Sequence, residues 1–239
     1  MPDAQPRSFQ TTRWSLVVAA GGTTNPRSRA ALADLCRVYW YPVYAFVRRS
    51  GKAADEAQDL TQGFFADLLQ RKDLGAADPK RGKFRSWLLG CATHYLANRH
   101  DFDTAQKRGG GTPAVPLLGE DGEERYSHEP VEGVTPEQLY LRRWAMLLLG
   151  RVLADFREEN VRAGKAARFD LLQPYLVDEG EASYARLGEE LGINENAVKA
   201  AVHGLRERFR DRLRTEIAGT VASVEEIDEE IRELLAALA

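Results

Sequence analysis

Four residues toward the end of the chain have the types and spacing to read the edge of a nucleic-acid base: Asn196, Lys199, His203 and Arg206. They recur every three or four positions, so a helix sets them on one side, away from Val198 and Val202. Asn can pair with adenine and Arg with guanine, each through two hydrogen bonds worth about 1–3 kcal/mol of discrimination. Arg208, Arg210, Arg212 and Arg214 follow, with Glu207 and Asp211 the only acids among them. Cations this dense suit phosphate, or a solvated helix face.

Such side chains need a rigid carrier, and residues 183–214 have the pattern of one. Leu187, Leu191, Ile193, Val198 and Val202 sit where a helix-turn-helix needs apolar contacts. Gly192 is placed to end the first helix in a left-handed conformation. Gly188 is small where the helices must approach, and Asn194 can cap the second helix.

A second set of candidates lies between positions 80 and 108, where seven bases face only Asp101 and Asp103. Lys83, Arg85, Arg99, Lys107 and Arg108 can meet phosphate; Lys107 and Arg108 equally suit the solvated start of a linker. Asn98 offers both a donor and an acceptor to a base edge. Trp87, Tyr95 and Phe102 are candidates for stacking on unpaired bases, at about 1–3 kcal/mol per base. Trp87 also keeps core spacing with Phe84, Leu88 and Cys91. A third set is acidic. Asp55, Asp59 and Gln62 share a helix face, with Glu56 beside them. Phosphate repels such a ridge, which suits a protein partner or a plain solvated face.

The net charge of −3 hides this segregation: residues 53–69 hold four acids and no base, and residues 225–233 six acids and one Arg. Alternating blocks of sign suit several partner surfaces or pairing between blocks. Neither a metal nor a cofactor is expected: Cys91-x-x-His94 with His100 lacks a second Cys pair. No nucleophile motif, phosphate-cradling Gly loop or carboxylate pair emerges, so the chain reads as a non-enzyme. Cys36 and Cys91 are expected as free thiols in a reducing compartment. The start shows no basic-then-apolar leader, and no uncharged run approaches membrane-spanning length. The expected location is cytoplasmic.

The periodicity is helical almost throughout, so the expected fold class is all-α: two small helical domains joined by a flexible linker, the second a helix-turn-helix domain. Helices are expected at 11–20, 28–49 (kinked at Pro42), 53–70, from Asp78-Pro79 to about 99, 135–158 and 163–173. Ser223 and Glu226 suggest a capping box opening a last, acidic helix. Residues 104–134, with six Gly and three Pro, read as the linker. The expected boundaries are an N-terminal extension 1–27, a first domain 28–103, the linker 104–134, a second domain 135–218 and an acidic tail 219–239.

These features together resemble the bacterial RNA polymerase sigma factors of the small, two-domain extracytoplasmic-function (ECF) group. The likeness is carried by A-D-E-A-Q-D-L-T-Q-G-F-F-A-D-L-L at 54–69, F-R-S-W-L-L-G-C-A-T-H-Y-L-A-N at 84–98, the linker, and V-K-A-A-V-H-G-L-R at 198–206. It covers about 30–103 and 136–215. The resemblance implies that Asp55, Glu56, Asp59 and Gln62 dock onto a helical coiled coil of the largest polymerase subunit. It implies that 84–98 is a promoter-melting helix, with a base-capturing loop beginning at Ala97, Asn98, Arg99 and His100. It implies that Asn196, Lys199, His203 and Arg206 read the minus-thirty-five element as duplex. The implied partners are core RNA polymerase, promoter DNA and a regulator such as an anti-sigma factor. The alternative is a helix-turn-helix regulator with a helical sensor or interaction domain. The opposite charges of neighbouring segments also suggest that the acidic tail folds onto the basic helix 199–214.

Overall fold

Every regular element in the described part of the chain is a helix, as the 3.6-residue spacing requires. The computed structural model describes residues 26–70, 77–78, 82–105, 122–129, 133–176 and 184–239. The helices are α1 (Pro26–Arg49), α2 (Ala54–Gln70), α3 (Phe84–Ala105), α4 (Gly122–Ser127), α5 (Pro136–Arg162), α6 (Ala166–Leu172), α7 (Tyr184–Leu191), α8 (Glu195–Ala218) and α9 (Ile227–Ala236). Short 3-10 turns at Gln173–Leu176 and Val224–Glu226 precede α7 and α9. The helix expected at 11–20 lies outside the described residues. No helix among them is long and apolar enough to cross a membrane.

The chain divides into two compact units, Met1–Leu147 with Ala218–Ala239, and Leu148–Ile217. Composition suggests a break at 104–134, whereas the compact units part inside α5. The reason is that the start of α5 buries Leu139, Tyr140, Trp144 and Ala145, and the Tyr140 hydroxyl donates to the Arg85 carbonyl at 3.0 Å. Thr135 opens this helix with the reciprocal cap that its spacing predicts. Its N–H donates to Gln138 Oε1 at 2.8 Å, and the Gln138 N–H donates to Thr135 Oγ1 at 3.2 Å.

In the first unit, α1 runs without interruption through Pro42 and buries Tyr39, Val43, Tyr44 and Phe46. α2 contributes Leu60, Phe64 and Phe65, and α3 contributes Phe84, Leu88 and Ala92. Edge-on ring contacts join the helices: Tyr39 to Phe84 at 5.5 Å and Phe64 to Tyr95 at 5.7 Å. Cys36 and Cys91 form no disulfide, and burial pushes the Cys36 thiol up to about 11.

Part of the stretch read as flexible linker is instead α4, seated on α1. Glu123 accepts from the Tyr44 hydroxyl at 2.6 Å and pairs with Arg48 at 2.7 Å. Buried Glu129 accepts from Tyr41 and Arg143. A Gly- and Pro-rich composition does not preclude order where carboxylates meet waiting phenols and guanidinium groups. The second unit is built around Phe156, Phe169, Leu172, Tyr175, Leu187, Val198, Val202 and Leu205.

Candidate nucleic-acid interface

Each device that the sequence suggests for the helix-turn-helix is present. Gly192 adopts φ +66°, and the Ile193 N–H donates to the Gly188 carbonyl at 2.9 Å, closing α7. A Cβ at Gly188 would lie 2.6 Å from the Ile193 carbonyl oxygen, so no larger residue fits without a backbone shift. Asn194 Oδ1 accepts from the Ala197 N–H at 2.8 Å and caps α8. The inner stripe Val198, Val202 and Leu205 is buried, which fixes the rotation of α8.

That rotation leaves Asn196, Lys199 and His203 exposed together. Lys199 is held toward Glu195 at 2.7 Å, and this hydrogen bond raises its pKa above the ordinary lysine value. An exposed pair of this kind is readily traded for a base or phosphate. Arg206 differs from expectation. It is half-buried, and its Nε donates to the Tyr175 carbonyl at 2.8 Å. The 3-10 turn before α7 presents that carbonyl beside α8, so Arg206 secures the scaffold. Of the later arginines, Arg212 is half-buried and Arg208 is exposed, and both reach over a core ring. Arg208 and Arg212 lie 5.7 and 5.0 Å from the Phe156 ring centroid, and Arg212 pairs with Glu159. Arg210 is exposed and pairs with Glu207 at 2.9 Å.

On α2, Asp55, Glu56 and Asp59 are exposed, and Gln62 is buried at 5% exposure. Gln62 therefore leaves the acidic ridge. The cause is that Leu60, Thr61 and Gln62 are buried in succession while Tyr95 of α3 crowds Gly63, so the second half of α2 is covered on more than one side. Asp55 and Glu56 lie in the first turn, where carboxylates also favour the helix dipole, and Glu56 pairs with Lys52 at 2.7 Å. Asp59 lies beyond that turn.

α3 starts and ends later than its pattern suggests. It begins at Phe84, and it continues to Ala105 where a loop is expected from 97. Asn98 and Arg99 are exposed on it; the side chain of His100, and Lys107 and Arg108 entirely, lie outside the described residues. Trp87 is half-buried against Phe84 at 5.4 Å, and Tyr95 packs on Phe64, so both aromatics serve the core.

The largest departure concerns the tail. α9 pairs with the first unit's own cations, not with 199–214 as its charge suggests. Glu230 lies 2.6 Å from Lys83 and 2.9 Å from Arg85; Glu233 lies 2.7 and 2.6 Å from the same two groups. Arg85, 4% exposed, is thus no open phosphate contact, and its guanidinium also stacks over Trp144 at 4.6 Å. Burial would raise the pKa of Glu233, but its hydrogen bond to Lys83 and the charges of Lys83 and Arg85 outweigh that and hold it below the usual carboxylate range. Ser223 makes no capping bond, because the chain enters through the 3-10 turn; the Ala222 N–H donates to Glu226 instead, at 3.2 Å.

The chain is 25% identical over 196 residues to the ECF RNA polymerase sigma factor SigE of Mycolicibacterium smegmatis, a match covering 80% of this chain and 64% of that protein. It is 23% identical over 191 residues to the ECF RNA polymerase sigma factor RpoE of Cereibacter sphaeroides, covering 78% of this chain and 88% of the relative. No family model matches the chain, and no solved structure matches it. With an all-helical fold and a helix-turn-helix in place, the two matches support a relationship between this chain and the sigma-70 family of transcription initiation factors.

Proposed function

We propose that this chain is a sigma factor of the extracytoplasmic-function type, acting in the cytoplasm to carry core RNA polymerase to promoters. The observation that carries the reading is the helix-turn-helix, in which the buried stripe of α8 aims Asn196, Lys199 and His203 at solvent as a set. The names of the two relatives point the same way.

In this reading the exposed carboxylates Asp55, Glu56 and Asp59 grip the polymerase, where they are also kept from phosphate. Asn196, Lys199 and His203 read the minus-thirty-five element in the major groove, while Arg206 holds the reading helix to its scaffold. Asn98, Arg99 and His100 on α3 take an unpaired base of the minus-ten element, and Lys107 and Arg108 follow its backbone. The chain supplies positioning, and the polymerase supplies the chemistry. Two modest DNA contacts on one chain reinforce each other through effective concentration.

Run-off transcription with purified core polymerase on a library of genomic fragments tests the reading. Discrete transcripts that disappear with Asn196→Ala/Lys199→Ala are expected. An absence of any transcript dependent on the chain would reject it.

A further inference from the structure

Glu230 sits on the apolar side of α9 with Ile227 and Leu234, and it is 1% exposed. Glu233, nearly one turn on, is half-exposed, yet it reaches the same two cations. Both carboxylates converge on Nη2 of Arg85, whose buried Nε and Nη1 have no hydrogen-bond partner. The arrangement satisfies the charge of Arg85 but leaves much of its donor fork unused. A phosphate offers more oxygens and accepts such a fork in pairs.

The position of these cations gives the pairing meaning. Arg85 opens α3, and Arg99 stands near its far end, roughly 20 Å away at 1.5 Å per residue. Leu88 and Ala92 are buried on the side between them, so a strand that reaches Arg85 enters at the start of α3, beside Lys83. We propose that α9 is a displaceable stand-in for nucleic-acid backbone: Glu230 and Glu233 occupy Lys83 and Arg85 in the free chain, and the phosphates of single-stranded DNA on α3 replace them. The inference rests on the proposed role of α3.

Displacement exchanges one set of anions for another, so the cations are never left bare. The apolar hold is slight, because Ile227 and Leu234 are the apolar residues that α9 buries. A helix of ten residues has little stability of its own once its seat is taken. The tail thereby lowers the affinity of the free chain for single strands that are not part of an opened promoter.

The test is fluorescence anisotropy with a labelled oligothymidylate across a salt series, on the full chain, Glu230→Gln/Glu233→Gln, and a chain ending at Ala218. Releasing two cations should steepen the salt slope by about 1.4, or about sevenfold more affinity lost over a fourfold rise in salt. Adding Lys83→Gln to the shortened chain should remove about half of that increment. Circular dichroism checks that the helices persist. If they do not, Glu233→Gln alone decides, with an expected increment of up to about 0.7. An unchanged slope in folded variants overturns the proposal. The assay contains no polymerase, so its failure is distinct from a failed run-off reaction.

Discussion

The helix-turn-helix and the tail clamp are both small constellations of a few side chains, yet they are built by opposite means. In the first, Gly188, Gly192, Ile193 and Asn194 act on neighbours within a handful of positions, through one positive φ and two short hydrogen bonds. In the second, Arg85 and Glu230 are 145 residues apart and meet only because the first unit is assembled from both ends of the chain. The contrast teaches that local stereochemistry can set the turn and cap of a helix-turn-helix within a few residues, whereas a buried charge needs the completed fold to find its partner.

Breaking the distant constellation should have the largest effect. Glu230→Ala leaves Arg85 without its buried counterion, with only the half-exposed Glu233 in reach, and the cost should be about 3 kcal/mol. Release of α9, which lets water reach Arg85, keeps the loss at the lower end of what buried pairs cost. Urea denaturation measures the loss, and hydrogen exchange should locate it in α9 and the start of α3, with α8 unaffected. Gly188→Val attacks the local constellation instead. Its branched side chain must displace the Ile193 carbonyl, at about 1–3 kcal/mol, and exchange should then rise in α7 and α8 only. Asn194→Ala removes the cap of α8 for about 1 kcal/mol, measurable as a lower denaturation midpoint.

The smallest effect separates the two by pH. The folded pKa of Glu233 lies below its unfolded value, so its contribution is present above the ordinary carboxylate pKa and is lost as pH falls through the folded value. The groups facing it are Lys83 and Arg85, with Glu230 beside it on α9. Arg142 lines the adjoining cavity of about 520 Å³. Exchange protection of α9 should fade below about pH 4.5, with α7 and α8 losing none from this group.

The same contrast explains what the sequence made legible. The turn glycines, the cap at Asn194, the Thr135 capping box and the apolar stripes could be read directly, because each obeys a rule spanning fewer than about five residues. Gln62 and Arg206 could not: spacing puts them on candidate faces, and only the packing of α3 over α2 and the carbonyl of Tyr175 beside α8 reveal otherwise. α4 was hidden by its composition. A signal for the clamp did exist. Glu230 interrupts the apolar face of α9, and Arg85 shares the side of α3 that carries Leu88 and Ala92. Two opposite charges, each set among apolar neighbours, had reason to be matched, although no local rule says which distant residue answers which.

The central claim is that one acidic surface engages the polymerase while separate surfaces on α3 and α8 engage DNA. Its most direct test is the affinity for a promoter duplex obtained from the run-off library, measured with and without core polymerase. Tight, sequence-specific binding that requires the polymerase and fails with Asp59→Arg, in a chain whose circular dichroism is unchanged, is the predicted result. Equally tight specific binding by the chain alone would contradict it and identify a conventional helix-turn-helix regulator.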